Sequence, residues 1–126
     1  MNKEVIFPIA KLLKEKGFDE ISQKWYSVEG GLYYQDEFDN NRGFIPAYEC
    51  EAPTIDDVKW WFYQKHGIWI YVDSHEFGKW CYNHKYIRPH KLNPIITENG
   101  HFGLDDYNTP KESYEAAFEY ASNNLI

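Results

Sequence analysis

Residues 53–72 read PTIDDVKWWFYQKHGIWIYV, and this stretch predicts a helix followed directly by a strand. Thr54 is a favourable N-cap because its hydroxyl can accept a hydrogen bond from a free amide of the first turn. Asp56 and Asp57 follow, where the helix dipole favours negative charge. Gly67 suits the left-handed C-cap that ends a helix. We therefore expect a helix from Thr54 to about His66.

The strand after Gly67 alternates in character. Side chains of a strand point to opposite faces in turn, so Ile68, Ile70 and Val72 share one face. Trp69 and Tyr71 occupy the other face. This pattern predicts a sheet whose aliphatic face is covered by helices.

The rest of the chain supplies two more helices and further strands. We expect a helix from Phe7 to Lys16, then a hairpin from Lys24 to Tyr34 that turns at Gly30-Gly31, and then a loop over 35–53. After the helix and strand described above, we expect a second strand from Lys79 to Ile87. A long connection over 88–103, with a short strand at Ile95-Ile96, leads to a last helix capped by Thr109. The order is α-β-β-α-β-β-α. This predicts an α+β fold, a small antiparallel sheet of about four strands with three helices, in a single domain over residues 1–126.

Length and charge exclude several classes of protein. The chain has 126 residues and a net charge of −7, with 43% hydrophobic residues. This is the size and composition of one globular domain, which excludes a multidomain enzyme, a rod or a disordered chain. An acidic domain repels phosphate backbones, so we expect no long nucleic acid among its partners.

The ends and the cysteines predict a cytoplasmic location. Met1-Asn2-Lys3-Glu4 carries an acid early and precedes no long apolar segment, unlike a secretory signal. Cys50 and Cys81 have no CxxC spacing and are expected to be reduced thiols. No stretch has the roughly 18 apolar residues of a membrane span, so we expect no membrane partner.

Aromatic residues give the leading functional hypothesis. They make up 19% of the chain, and in helical projection Trp60 lies nearly opposite the apolar side of its helix. We predict a non-enzymatic module that binds a protein partner or a second copy through exposed rings. The expected surface contains Trp60, Trp69, Tyr71, Trp80 and Tyr82. The alternative is that these rings pack beneath the loops.

A second hypothesis rests on local basicity. Residues 58–97 carry a net charge of +4 within an acidic chain. Segment 79–91 could bind a small nucleotide, with Trp80 or Tyr82 stacking on the base. Its phosphate ligands would be Lys79, Lys85, Arg88 and Lys91. An ordinary solvated edge strand explains the same lysines.

A third hypothesis is that the protein is an acidic decoy. Residues 36–57 and 98–119 are rich in acids. They could occupy the basic surface of a DNA-binding protein. The hypothesis requires these acids to share one face.

Neither a catalytic nor a metal site emerges from the motifs. Ser27, Ser74 and Ser113 lie in no G-x-S-x-G turn. Cys81 and His84 have zinc-ligand spacing, but no second pair accompanies them. We therefore predict no enzyme activity, no catalytic residue, no metal and no cofactor.

Several short blocks carry a family resemblance. They are Ala52-Pro53-Thr54, Val58-Lys59-Trp60-Trp61-Phe62, His66-Gly67-Ile68, Lys79-Trp80-Cys81-Tyr82, Tyr107-Asn108-Thr109, Ser113-Tyr114-Glu115-Ala116 and Asn124-Leu125-Ile126. With these blocks, roughly residues 50–126 resemble small uncharacterised proteins of Bacteroidetes and of their phages and mobile elements. The resemblance implies a compact α+β domain of phage or mobile-element type. It implies no activity, and no site residue carries over.

Overall fold

The computed structural model describes residues 3–35, 46–75, 78–87 and 107–126. Within these ranges the chain forms three helices and five strands, which confirms the α+β class. The order of elements matches the predicted one except for an additional strand before the second helix, and the strands form two sheets instead of the one that was expected. The elements are α1 (Phe7–Glu15), β1 (Lys24–Ser27), β2 (Leu32–Tyr34), β3 (Tyr48–Glu51), α2 (Ile55–His66), β4 (Ile68–His75), β5 (Lys79–Tyr86) and α3 (Pro110–Asn124).

Local signals place the ends of α2 as expected. The Thr54 hydroxyl accepts the Asp57 N–H at 3.1 Å, and the Asp57 carboxylate accepts the Thr54 N–H at 3.2 Å. This reciprocal pair is a capping box. Gly67 ends the helix with φ of 70°, a left-handed conformation that other residues rarely adopt. β4 begins one residue later, so α2 and β4 form one compact unit.

The strands divide between two antiparallel sheets. One sheet has the order β2-β1-β3, and the other is the β4–β5 hairpin. The extra strand, β3, lies inside the segment 35–53 that was predicted as a loop. It pairs with β1 because Cys50 is buried and the Glu51 carboxylate accepts hydrogen bonds from Ser22, Gln35 and Tyr48. The strand expected at Ile95-Ile96 lies outside the described residues.

A shared core joins the helices and both sheets. Phe62 of α2 stacks on Phe118 of α3 with ring centroids 5.8 Å apart, and both side chains are fully buried. The predicted inward face of β4 is confirmed, since Ile68 and Ile70 are buried in this core. Leu13 of α1 joins the same cluster. The core therefore fixes α2, α3 and β4 relative to one another.

Glu20 lies close to the acidic start of α2. Burial raises its pKa, and repulsion from Asp57 and Asp19 raises it further. When folding raises the pKa of a carboxyl group, ionisation of that group lowers the free energy of unfolding at pH values above the raised pKa. This loss of stability disappears as the pH falls through the raised pKa. The charged form of Glu20 therefore destabilises the fold at neutral pH.

We expect Glu20→Gln to increase the free energy of unfolding at pH 7 by about 0.5 kcal/mol, because the side chain is partly exposed and screened by solvent. The gain should vanish near pH 3, where wild-type Glu20 is protonated. Urea unfolding at both pH values measures the difference. Glu15→Gln, at an exposed position of α1, is the control. A gain that persists at pH 3 would contradict the repulsion between these carboxylates.

Candidate functional site

Three rings from α2 and β4 meet and form what we call the ring patch. It contains Trp60, Tyr63 and Trp69. The centroid of the Trp60 ring lies 5.7 Å from Tyr63 and 5.3 Å from Trp69, and Tyr63 lies 6.0 Å from Trp69. All three contacts are edge-to-face, the geometry in which aromatic pairs attract each other. The rings therefore support one another's positions.

Lys59 ties the ring patch to α3. Its ammonium lies 5.0 Å from the centroid of Trp69 and 5.0 Å from that of Tyr114. A cation above an aromatic face is attracted by the ring quadrupole. Tyr114 in turn packs against Phe118 of the core at 6.0 Å. The patch is thus anchored to the core through Lys59 and Tyr114.

Trp60 is the exposed member of the patch. Its side chain stands on the outer side of α2 and the residue is 51% exposed, whereas Tyr63 and Trp69 are half-buried. A half-exposed tryptophan that is held by neighbouring rings presents a large apolar area in a fixed place. Side chains of this kind dominate the energy of many protein interfaces.

The β4–β5 register separates the four predicted rings that lie on this hairpin. Val72 pairs with Tyr82 and Ser74 pairs with Trp80, so both rings share the side of the hairpin that carries Ile68 and Ile70. Tyr82 is buried at 6% exposure, against Tyr107 and Tyr120. Trp80 is half-buried, and its backbone exchanges two hydrogen bonds with Tyr107. Trp80 and Tyr82 therefore do not belong to the same surface as Trp69, which corrects the expected set.

Tyr71 lies on the same strand face as Trp69 and is half-buried. The Lys85 ammonium lies 5.1 Å from the centroid of its ring. The ring patch consequently continues toward Tyr71 as a mixed aromatic and basic strip. Sequence reasoning did not include Tyr63 in the surface, although it stands three positions after Trp60 and so on the same side of the helix.

The two described lysines of the nucleotide hypothesis, Lys79 and Lys85, do not converge. Lys79 donates a hydrogen bond to the Asn108 side chain at 2.8 Å, and Lys85 lies above Tyr71. They are six residues apart on β5, a distance of roughly 20 Å along a strand. Arg88 and Lys91 lie outside the described residues. Tyr82 is buried and cannot stack on a base from solvent.

Several acids of the decoy hypothesis serve the fold. Glu51 accepts three hydrogen bonds, and Asp57 closes the capping box of α2. The Glu115 carboxylate is buried against Lys111 at 2.7 Å. Segments 36–45 and 98–106 lie outside the described residues. In the part of the chain that is described, these three carboxylates are therefore engaged in contacts that hold the fold.

The described residues bear on three other kinds of site: a reactive thiol in the core, a metal site and a membrane-spanning helix. Burial raises the pKa of the Cys50 thiol to about 11, so this cysteine is a protonated core residue at neutral pH. In the described ranges no group of three or more His, Cys, Asp or Glu side chains is placed to hold a metal ion. None of the described helices combines the length and apolar character that crossing a membrane requires.

Comparison of the chain with protein-family models, with curated proteins and with solved structures gave no match. The ring patch is the most specific surface feature of the described residues.

Proposed function

We propose that this protein is a non-enzymatic interaction module that associates with a second copy of itself through the ring patch. The observation that carries the proposal is Trp60, which is half exposed yet held by Tyr63 and Trp69. A large ring that is fixed before binding loses little conformational entropy when it is covered. Covering it also removes apolar area from water, which favours association.

The pattern around Trp60 favours a second copy as the partner. Asp56 stands four residues before Trp60 and Gln64 four residues after it, so all three lie along one stripe of α2. If two α2 helices pack antiparallel with Trp60 at the centre, Asp56 of each copy lies opposite Gln64 of the other. A carboxylate accepts hydrogen bonds and a side-chain amide donates them. The stripe is therefore complementary to itself, as a two-fold interface requires.

We expect wild-type protein to show a concentration-dependent monomer–dimer equilibrium and Trp60→Ala to weaken it by about tenfold or more, since interface tryptophans contribute more than 1 kcal/mol. Sedimentation velocity from 5 µM to 1 mM measures both. Tyr34→Ala is the matched control, because Tyr34 is 50% exposed but lies on the other sheet. A monomer throughout this range would overturn the proposal.

Exchange of charges tests the antiparallel arrangement itself. Gln64→Glu should weaken the dimer, because it places a carboxylate opposite Asp56 of the other copy. Asp56→Lys combined with Gln64→Glu should restore it, since the facing groups are then of opposite charge. Circular dichroism checks that α2 remains folded in each variant. If the double variant is as weak as the single one, α2 helices do not pair in this register.

A further inference from the structure

Ile21 is the most exposed large hydrophobic side chain of the described residues, at 87%. It stands in segment 19–23, which joins α1 to β1 and which we call the Ile21 ridge. Burial alternates along the segment, with Asp19, Ile21 and Gln23 exposed and Ser22 buried. The Ser22 N–H donates to the Glu51 carboxylate at 2.7 Å, which fixes the middle of the segment on β3. Ile21 is therefore held outward by a buried neighbour.

A cleft opens on each side of Ile21. The larger has a volume of about 570 Å³ and lies between the start of β1, the end of β2 and the start of α2. The smaller, of about 190 Å³, lies between α1 and β3. Glu4, Lys24, Tyr34 and Asp57 line the larger cleft, while Phe18 and Tyr48 line the smaller. An exposed aliphatic side chain thus separates two openings, each bordered by an exposed tyrosine ring.

The charge around the ridge is negative. Lys24 is paired with Glu4 at 3.0 Å, so these two side chains largely cancel. Asp19, Glu20 and Asp57 remain, and their mutual repulsion contributes to the raised pKa of Glu20. Lys65 offsets part of this charge. Lys14 also lines the smaller cleft, but it donates to the Glu49 carbonyl and lies 3.8 Å from the Glu49 carboxylate. A positively charged group placed beside Ile21 would relieve the repulsion.

We propose that the Ile21 ridge binds an extended segment of a partner protein in which Lys or Arg side chains flank an apolar residue. The apolar residue would cover Ile21, and the basic side chains would enter the clefts toward Asp19, Glu20 and Asp57. In an extended segment the residues at positions i and i+2 share a face, so basic side chains two positions before and two positions after the apolar residue point toward the same surface as that residue, one into each cleft. The net charge of −7 favours the approach of a basic partner. The ridge shares no residue with the ring patch, so this proposal is independent of self-association.

The test is a titration of 15N-labelled protein with the peptide acetyl-Gly-Ser-Lys-Ser-Leu-Ser-Arg-Ser-Gly-amide, in which the Lys, Leu and Arg side chains share one face of the extended chain. We expect amide shifts concentrated at residues 19–24, Tyr34 and Asp57, and weaker binding as NaCl rises from 50 to 500 mM. The same peptide with Glu in place of Lys and Arg should not bind. Equal binding of the acidic peptide, or shifts spread over every acidic part of the surface, would overturn the proposal.

Two variants separate the ridge from general acidity. Ile21→Ser should weaken binding of the basic peptide by about tenfold, a typical loss for a central interface residue. Val28→Ser is the matched control, since Val28 is 51% exposed and lies beyond the far end of β1. Trp60→Ala should bind the peptide like the wild type, which distinguishes this surface from the ring patch. Equal affinities of the Ile21 and Val28 variants would show that the ridge is not the site.

Discussion

Glu115→Ala is expected to lower the free energy of unfolding by about 3 kcal/mol, because it removes a buried carboxylate that holds two donors. Glu115 lies on α3 and is 7% exposed. Its carboxylate accepts the backbone N–H of Ile6 at 2.7 Å and the Lys111 ammonium at 2.7 Å. Ile6 is the N-cap of α1 and offers no side-chain cap of its own. Glu115 therefore supplies, from the other end of the chain, the acceptor and the negative charge that a helix start requires.

Three further variants divide this loss into its parts. Glu115→Gln keeps an oxygen for the Ile6 N–H but removes the charge, so we expect a loss of about 1 kcal/mol. Lys111→Ala should cost less than about 1 kcal/mol, because the Lys111 side chain is partly exposed. Glu119→Ala, one turn further along α3 and exposed, is the control and should change stability by less than about 0.5 kcal/mol. Urea unfolding followed by circular dichroism measures all four. Equal values for Glu115→Ala and Glu119→Ala would contradict the role assigned to Glu115.

Glu115 also shows what sequence reasoning could not supply. The N-caps of α2 and α3, Thr54 and Thr109, were predictable because donor and acceptor lie within three residues of each other. Ile6 and Glu115 are 109 residues apart, and nothing near either residue indicates the other. The same holds for β3. Its sequence is typical of an acidic loop, and its strand structure depends on the distant contacts of Glu51 with Ser22 and Gln35. Elements fixed by local contacts were predictable, and those fixed by distant polar contacts were not.

The candidate site was predictable in part for a similar reason. The helical period alone predicted that Trp60 is either exposed or covered by another element, and strand alternation predicted Trp69 on the face opposite Ile68 and Ile70. The error concerned Trp80 and Tyr82, which were predicted to lie on the same surface as Trp69. In β5 the rings of Trp80, Tyr82 and Tyr86 occupy even positions, whereas both lysines occupy odd ones, so alternation already favoured an inward Tyr82. What the sequence leaves open is the register that sets β5 against β4.

Alkaline pH is expected to destabilise the fold through two buried groups. Burial raises the pKa of Cys50 from its ordinary value of 9.0 to about 11, and that of Tyr26 from 10.0 to about 12. The Tyr26 hydroxyl donates a hydrogen bond to the Val5 carbonyl at 2.6 Å, which only the protonated phenol can do. Above about pH 9 the unfolded chain releases these protons while the folded chain retains them. Stability is therefore complete below pH 8 and falls as the pH rises through the folded pKa values.

We expect the free energy of unfolding to fall by about 3 kcal/mol between pH 8 and pH 11, since each unit of pKa shift is worth about 1.4 kcal/mol and Tyr26 has realised only about half of its shift at pH 11. Urea unfolding at closely spaced pH values measures the loss. Cys50→Ala should reduce it by about 2 kcal/mol and Tyr26→Phe by about 1 kcal/mol, whatever each variant does to stability at pH 8. Cys81→Ala removes a half-buried thiol outside the core and is the matched control. Equal losses of stability by Cys50→Ala and Cys81→Ala over this range would contradict the assignment. The alkaline destabilisation would then not be caused by proton release from the buried thiol of Cys50.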